Sequence, residues 1–224
     1  MAKDQDWHEL PFREAIEYLR SLAPMSALDI EYYAEAAASR AFFVTRVYKL
    51  NVLQAMLDAF ASALEGGVTM EDFIADFAAT GLSEAHLATV FKTNLQTFYG
   101  RGNWEQGNDS DISDFIWGWR YRTQGDDRVR EEHEILEGLV FAKGDGDEFF
   151  PPIGFDCRCT GEWITEREAE ADGLTTSTVP KEARSIFEDT DFVSPALRDE
   201  FDPDLGQYDL GLVREYLAEE GASE

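Results

Sequence analysis

Cysteine and histidine are scarce in this sequence. Its 224 residues include two cysteines, Cys157 and Cys159, and three histidines. Two cysteines cannot build the disulfide framework of a small secreted domain, and a bridge across a single intervening residue would be strained. We therefore expect both cysteines to be free thiols.

Long apolar segments are absent as well. No run approaches the roughly 20 apolar residues that a membrane-spanning helix needs, and the first residues lack the basic, apolar and small-residue order of a signal peptide. The sequence predicts no membrane contact. We expect the protein to be made and kept in a cytoplasm.

Basic residues are few, and lysine is especially rare. The sequence has 46 acidic side chains against 19 lysines and arginines, of which five are lysines, and its formal net charge is −27. Nucleic-acid affinity comes mainly from basic side chains that neutralise phosphates, so direct nucleic-acid binding is not expected. Dispersed acidic charge with little lysine is typical of proteins adapted to high salt. A soluble acidic protein with a disordered acidic end explains the same composition.

Apolar residues recur at helical spacing over residues 1–112, and turn or capping residues separate the segments. One helix is expected to run from Ser26 to Val47. Another carries polar side chains, among them Gln96, that we expect to satisfy buried loop groups. The sequence therefore predicts an N-terminal helical bundle. Its expected helix starts are at Pro11, Ser26, Asn51, Thr69 and Ser83, and expected helix ends are at Pro24, Gly66, Gly81 and Gly100 with Gly102.

Short runs rich in aromatic and β-branched residues replace this pattern from residue 113 onward. They predict strands within 115–123, 136–143 and 159–165. The Gly- and Asp-rich stretch 143–156 reads as a loop, and a short helix is expected at about 165–171. The predicted fold is α+β and predominantly α. A small α+β region with the Cys-x-Cys motif (113–175) follows the helical region (1–112), and an extended acidic C-terminal arm with a terminal helix (176–224) completes it.

The two cysteines are candidate ligands of a structural zinc ion. Zinc prefers thiolates and imidazoles in a tetrahedral set of four, and this chain offers His133, Cys157 and Cys159, with an oxygen of Asp127 or Asp156 to complete the set. Cys-x-Cys is tighter than the usual zinc spacing. Two small buried thiols on either side of an outward-facing Arg158 also explain the motif.

Charged residues crowd the stretch 125–138 around His133. They could form a salt-bridged surface or a catalytic cluster. The zinc-protease signature is absent because Glu137 stands where the second histidine would be needed. No serine or cysteine nucleophile is placed beside His133 by the sequence. A structural charge network and a metal-dependent hydrolase or group-transfer enzyme remain the two interpretations of this stretch.

Several segments in fixed order resemble the phage Mu F-like head-morphogenesis family, the minor head proteins of tailed double-stranded DNA phages. The most specific are "YRTQGDDRVREEHEILEGLVF" (121–141) and "FPPIGFDCRC" (150–159). Phe155-Asp156 departs from the pattern, since Trp or His with Asn is expected before Cys157. The resemblance marks eight signature positions: Asp127, Arg128, His133, Pro151, Pro152, Cys157, Arg158 and Cys159.

The resemblance implies a structural role in head assembly without catalytic activity. It implies a low-copy protein of the virion head, present in the host cytoplasm during assembly and held near the portal vertex, with a part in genome delivery. Expected partners are the portal protein and other head proteins, the major capsid or scaffolding protein among them. The motif also implies that His133 meets both cysteines across the intervening loop. The metal-dependent enzyme remains the alternative, because members of this family can be fused to toxin domains.

Overall fold

A computed structural model describes residues 13–24, 41–42, 44, 46–47 and 49–183 of the protein. Helix predominates, and a three-stranded antiparallel sheet completes an α+β fold, which confirms the predicted fold class. The helices within these ranges are α1 (Arg13–Ser21), α2 (Leu50–Leu64), α3 (Met70–Phe77), α4 (Glu84–Asn108), α5 (Glu131–Glu134) and α6 (Glu166–Asp172). The strands are β1 (Ala23–Pro24), β2 (Ala41–Phe42), β3 (Ile116–Arg122), β4 (Val140–Ala142) and β5 (Thr160–Thr165).

The chain forms two compact units. Among the described residues, those up to Leu95 belong to the first, which we call the helical unit, and those from Gln96 to Ala183 belong to the second, the sheet unit. None of the helices in the described ranges is long and apolar enough to cross a membrane.

Aromatic packing forms the centre of the helical unit. The rings of Phe60, Phe73 and Phe91, from three successive helices, have centroids 5.0 to 5.8 Å apart, and Phe77 lies 4.7 Å from Phe73. Helix α1 packs on α2, and its Ile16 and Leu19 are buried. Burying each such side chain stabilises the folded state by about 1.5–3 kcal/mol. The apolar residues whose spacing predicts these helices therefore also form the core between them.

Capping side chains define two helix starts in this unit. The Thr69 hydroxyl accepts the Asp72 backbone N–H at 3.2 Å, and the Asp72 carboxylate accepts the Thr69 N–H at 3.0 Å, which is the predicted capping box of α3. Ser83 caps α4 by accepting the N–H of His86 at 3.2 Å. Both predicted starts are confirmed, and Gly81 ends the turn after α3 in a left-handed conformation as expected.

The helix predicted from Ser26 to Val47 does not extend that far. Residues 25–40 lie outside the described residues, but Ala41–Phe42 is strand β2, paired in parallel with β1. Arg46 has a φ of 74°, in the left-handed region that a right-handed helix excludes. The apolar spacing therefore does not indicate helix at the described residues from Ala41 to Val47.

The start of α2 also differs from the prediction. The helix begins at Leu50, Lys49 is its N-cap residue without a side-chain cap bond, and Asn51 lies inside the first turn. Asn51 therefore does not cap the helix. The packing of Leu53, Met56 and other buried residues stabilises this helix without a local start signal.

Helix α4 continues past the glycines at which the sequence predicts its end. It runs to Asn108, with Gly100 inside the helix. A Cβ atom at Gly100 would lie 2.5 Å from the carbonyl oxygen of Pro151 and 2.6 Å from Cδ of Pro152. The glycine therefore marks a close approach of another segment to the helix rather than a stop signal.

Strand β3 lies at the centre of the sheet, between β4 and β5, and pairs antiparallel with both. The three predicted strands and the short helix α6 are confirmed. Trp119 of β3 stacks on Phe141 of β4 with ring centroids 4.4 Å apart and is fully buried. Tyr121, two residues along the strand, is fully buried in the same cluster, so this face of the sheet supports the site described below.

The first residues of the predicted acidic arm pack on the sheet unit. The backbone N–H of Ser177 donates to the carbonyl of Val140 at 2.8 Å, and the Val140 N–H donates to the Ser177 hydroxyl at 3.0 Å. Ala183 is fully buried. The rest of the arm and its terminal helix lie outside the described residues.

Candidate metal centre

The three nitrogen and sulfur ligands predicted for zinc converge in the sheet unit. His133 lies on α5, and Cys157 and Cys159 lie in the segment that leads into β5. Nδ1 of His133 is 3.6 Å from each Sγ, and the three candidate ligand atoms lie within 4.8 Å of one another. None of the three residues is more than 4% exposed, and both cysteines are free thiols, as the sequence predicts.

Tyr121 is a further polar group at this cluster, and reasoning from the sequence did not identify it. Its hydroxyl lies 3.3 Å from Nδ1 of His133. The alternation of β3 puts Tyr121 on the same buried face as Trp119. That periodicity could have predicted burial, but nothing local in the sequence connects the strand with His133.

The electrostatics of the cluster separate the two thiols. The hydrogen bond from Cys159 lowers the pKa of the Cys157 thiol against the opposing effect of burial, and His133 lowers it further. The pKa of the Cys159 thiol is raised by its hydrogen bond to Cys157 and by burial. Burial also raises the pKa of Tyr121 well above its ordinary value. Of the two sulfurs, Cys157 is therefore the one that ionises first.

Side chains from distant parts of the sheet unit hold the cysteine segment by donating to its backbone carbonyls. Because the accepting carbonyls lie on and around the Cys-x-Cys motif, these bonds fix the path of the chain that presents both thiols. The Gln96 bond confirms for this residue the prediction that polar side chains of α4 satisfy a buried loop, whereas Asn94 donates to Val90 of its own helix. The pairs are Gln96 with Cys159 at 3.1 Å, Gln124 with Arg158 at 2.8 Å, and Arg130 with Phe155 at 2.6 Å.

Arg158 points outward between the two buried cysteines. Its guanidinium makes a two-pronged salt bridge with Asp126, with N–O distances of 2.8 and 2.6 Å. The hydrogen bonds from Arg158 lower the pKa of Asp126 to about 2. Asp127, the oxygen ligand offered by the sequence, is exposed, and neither it nor Asp156 belongs to the group of three metal-binding side chains found among the described residues.

The other signature positions surround the cluster without joining it. Pro151 and Pro152 are buried and are linked by a cis peptide bond, and the carbonyl of Pro151 faces Gly100. Arg128 is exposed, and its backbone N–H donates to the Asp126 carboxylate at 3.2 Å. The motif therefore combines a buried thiol and imidazole core with a loop that shapes its surroundings.

A small pocket gives access to the cluster from the surface. It has a volume of about 20 Å³, room for about one water molecule or ion. His133, Cys157 and Cys159 all line it, together with polar side chains that include Gln124, Arg128, Arg130, Asp156 and Arg158. Two soft sulfur donors and one imidazole beside such a space are a set of groups that suits zinc.

Residues 54–162 match the family described as Phage Mu protein F like protein. This range includes most of α2, the whole of α4, strands β3 and β4, the first half of β5 and every residue of the cluster. The matched segment, just under half of the chain, is similar to the phage Mu F-like family. The resemblance noted in the sequence is thereby confirmed.

Two relatives of this Mu F-like chain carry the F name. "Putative capsid assembly protein F" of Escherichia phage Mu is 27% identical over 194 residues, which cover 75% of this chain and 44% of the relative. "Mu-like prophage FluMu F protein" of Haemophilus influenzae is 26% identical over 164 residues, which cover 64% of this chain and 39% of the relative. The chain thus spans less than half the length of either protein.

A shorter similarity connects the Mu F-like chain with an uncharacterized protein of Methanocaldococcus jannaschii. The two are 48% identical over 40 residues, which cover 18% of this chain and 6% of that protein. No solved structure matches the chain.

Proposed function

We propose that this chain is a structural protein of the head of a tailed double-stranded DNA virus or prophage and acts in capsid assembly. Similarity to the Mu F-like family carries the proposal, since the match includes most of the described residues and the phage Mu relative is named as a putative capsid assembly protein. The chain spans 44% of that relative, so the proposal concerns an assembly role of this part alone.

Within the head, the proposed position is near the portal vertex, in low copy, with a part in genome delivery. The proposed partners are proteins: the portal, and the major capsid or scaffolding protein. Charge supports this choice, because a chain with a net charge of −27 is repelled by packaged DNA. Contacts with protein surfaces, particularly basic ones, carry no such cost.

A structural role also agrees with the state of the charged residues around His133. Asp126 forms a salt bridge with Arg158, and the Glu137 carboxylate accepts hydrogen bonds from the backbone N–H of Thr123 and from Arg122. Carboxylates engaged in this way stabilise loops. No observation favours the hydrolase or group-transfer alternative, and the proposal assigns the chain no catalytic role.

The test is to delete the gene in the virus or induced prophage that encodes it and to compare head fractions with and without a complementing copy. We expect the complemented heads to contain the chain in low copy, by quantitative mass spectrometry, and the deletion to reduce DNA-filled heads seen by electron microscopy. Crosslinking in complemented heads should join the chain to portal protein. Normal heads in the deletion strain, with the chain absent from complemented heads, would contradict the proposal.

A further inference from the structure

Three hydrogen-bonding groups at the cluster compete for a single nitrogen atom. The Tyr121 hydroxyl and the thiols of Cys157 and Cys159 all lie within 3.6 Å of Nδ1 of His133. In either tautomer of neutral histidine this nitrogen makes one good hydrogen bond, as donor or as acceptor. Hydrogen bonding alone therefore does not explain why two sulfurs are held at the same distance from it.

The two nitrogen–sulfur distances match those of a tetrahedral metal site. With zinc bonds of about 2.3 Å to sulfur and about 2.05 Å to nitrogen, a tetrahedral angle places each sulfur about 3.6 Å from the nitrogen. Both Nδ1–Sγ distances are 3.6 Å. An ion at the centre would bond to the lone pairs of all three atoms at once, which hydrogen bonding cannot do.

The surroundings suit a bound ion that stabilises the fold. The three residues are buried beside Trp119, Leu136 and other apolar side chains, so the core would hold the three protein ligands of an ion in place. His133 sits on a four-residue helix, and the cysteines sit in a segment without regular structure. A metal would link these two short segments and stabilise the folded state by its binding free energy.

The remaining coordination position faces the pocket. All three ligand residues line the pocket, whose volume of about 20 Å³ suits one water molecule. Among the described residues no carboxylate belongs to the ligand group, and Tyr121 is not one of the residues that line the pocket. A three-ligand zinc site commonly keeps its fourth position for water or another ligand.

We propose that Nδ1 of His133 and the thiolates of Cys157 and Cys159 bind one zinc ion whose fourth coordination position opens to this pocket. Binding releases the thiol protons, so zinc and protons compete for the site. The site does not depend on the proposed role in head assembly, and the purified chain suffices to test it.

The first experiment measures the metal content of the purified, untagged full chain after incubation with zinc and removal of unbound metal. We expect one zinc per chain, and loss of zinc in Cys157→Ser, Cys159→Ser and His133→Asn. Asp127→Asn and Asp156→Asn are matched controls, since they alter nearby carboxylates, and both should keep one zinc. Loss of zinc from Asp156→Asn would overturn the open fourth position, because it would make that carboxylate a ligand.

Measurements on the wild-type chain test the proposal even where ligand variants fail to fold. Replacing zinc by cobalt should give a sulfur-to-cobalt charge-transfer band in the near ultraviolet and the intense visible bands of tetrahedral cobalt. Chelation should lower the thermal midpoint of the wild type, and added zinc should restore it. A folded wild type that takes up neither metal, and whose midpoint ignores both zinc and chelator, would overturn the proposal.

The fourth position has its own readout in the cobalt form. Adding fluoride or azide, ligands small enough for this pocket, should shift the visible bands if the position is open, and Tyr121→Phe should bind metal and respond in the same way as the wild type. Visible bands that do not respond to either additive, or loss of metal from Tyr121→Phe, would show that the position is closed by the protein.

Discussion

The helical unit and the sheet unit differ in how far apart in sequence their contacting residues lie. In the helical unit, Phe73 and Phe77 touch one turn apart, and a capping box joins residues three apart in sequence. In the sheet unit, Gln96 reaches the carbonyl of Cys159, 63 residues away. Regular helices satisfy their own backbone groups, whereas the irregular segment before β5 depends on side chains from elsewhere. Substitutions should therefore act locally in the first unit and at a distance in the second.

The largest expected effect comes from removing a central ring in either unit. Phe60→Ala and Phe150→Ala should each lower the free energy of unfolding by about 3–5 kcal/mol, since both side chains are fully buried. Chemical denaturation followed by circular dichroism and by tryptophan fluorescence measures the loss. Trp104, Trp117, Trp119 and Trp163 all lie in the sheet unit, so fluorescence should respond more to Phe150→Ala. Phe115→Ala, at a side chain 66% exposed, is the control and should cost less than about 0.5 kcal/mol.

Gly100→Ala should break the close approach of the Pro151 segment to α4. Alanine favours helix by up to about 1 kcal/mol over glycine, but its Cβ would overlap the Pro151 carbonyl, and overpacking costs about 1–3 kcal/mol. A net loss of about 1–2 kcal/mol in unfolding free energy is expected by denaturation. A gain in stability, as helix propensity alone predicts, would show that this long-range contact is not needed.

Within the described ranges, each unit has one capping box of this kind, which allows a matched comparison of a local interaction. Thr69→Ala in the helical unit and Thr165→Ala in the sheet unit each remove a hydroxyl that accepts from the third backbone N–H of its helix. Each substitution should cost about 1 kcal/mol of unfolding free energy. A much larger loss at Thr165 would mean that the start of α6 also supports the end of β5 and is not purely local.

The smallest expected effect is that of the Asp126–Arg158 pair, and it should depend on pH. The pKa of Asp126 is lowered to about 2 in the folded protein, against about 3.9 in an unfolded chain. The stability that the pair adds is thus present above about pH 4 and is lost as the pH falls towards 2. Asp126→Asn should slightly lower the thermal midpoint near neutral pH, and its difference from wild type should vanish in acid.

Asp127→Asn removes a neighbouring charge without touching the pair and serves as the control. An identical, pH-independent change in the thermal midpoint of both variants would mean that the contact with Arg158 adds no stability beyond the effect of one negative charge.

The sequence predicts the helical unit well where residues act on near neighbours. Thr69, Ser83 and Gly81 mark helix boundaries because their effect is confined to one turn. The predictions around Asn51 and Gly100 are wrong because packing, which the sequence does not display, sets the start of α2 and the continuation of α4. Glycine in particular has two meanings, a helix stop or a place of close contact, and only the partner segment tells them apart.

The candidate site follows the same rule. His133, Cys157 and Cys159 could be grouped through the family motif, although Cys-x-Cys spacing alone favours no site. The choice of Asp127 or Asp156 as an oxygen ligand could not be made from the sequence, because loop geometry decides where each carboxylate lies relative to the cluster. Tyr121 was missed because its approach to His133 depends on the path of the chain between them.

The contact between Gly100 and Pro151 also limits how this fold can diverge. A side chain larger than hydrogen at position 100 would press on the Pro151 carbonyl, which belongs to the loop that leads to both cysteines. The two positions, 51 residues apart in sequence, should therefore constrain each other among homologues. A glycine at such a close approach limits which substitutions the helix and the Cys-x-Cys loop can accept independently.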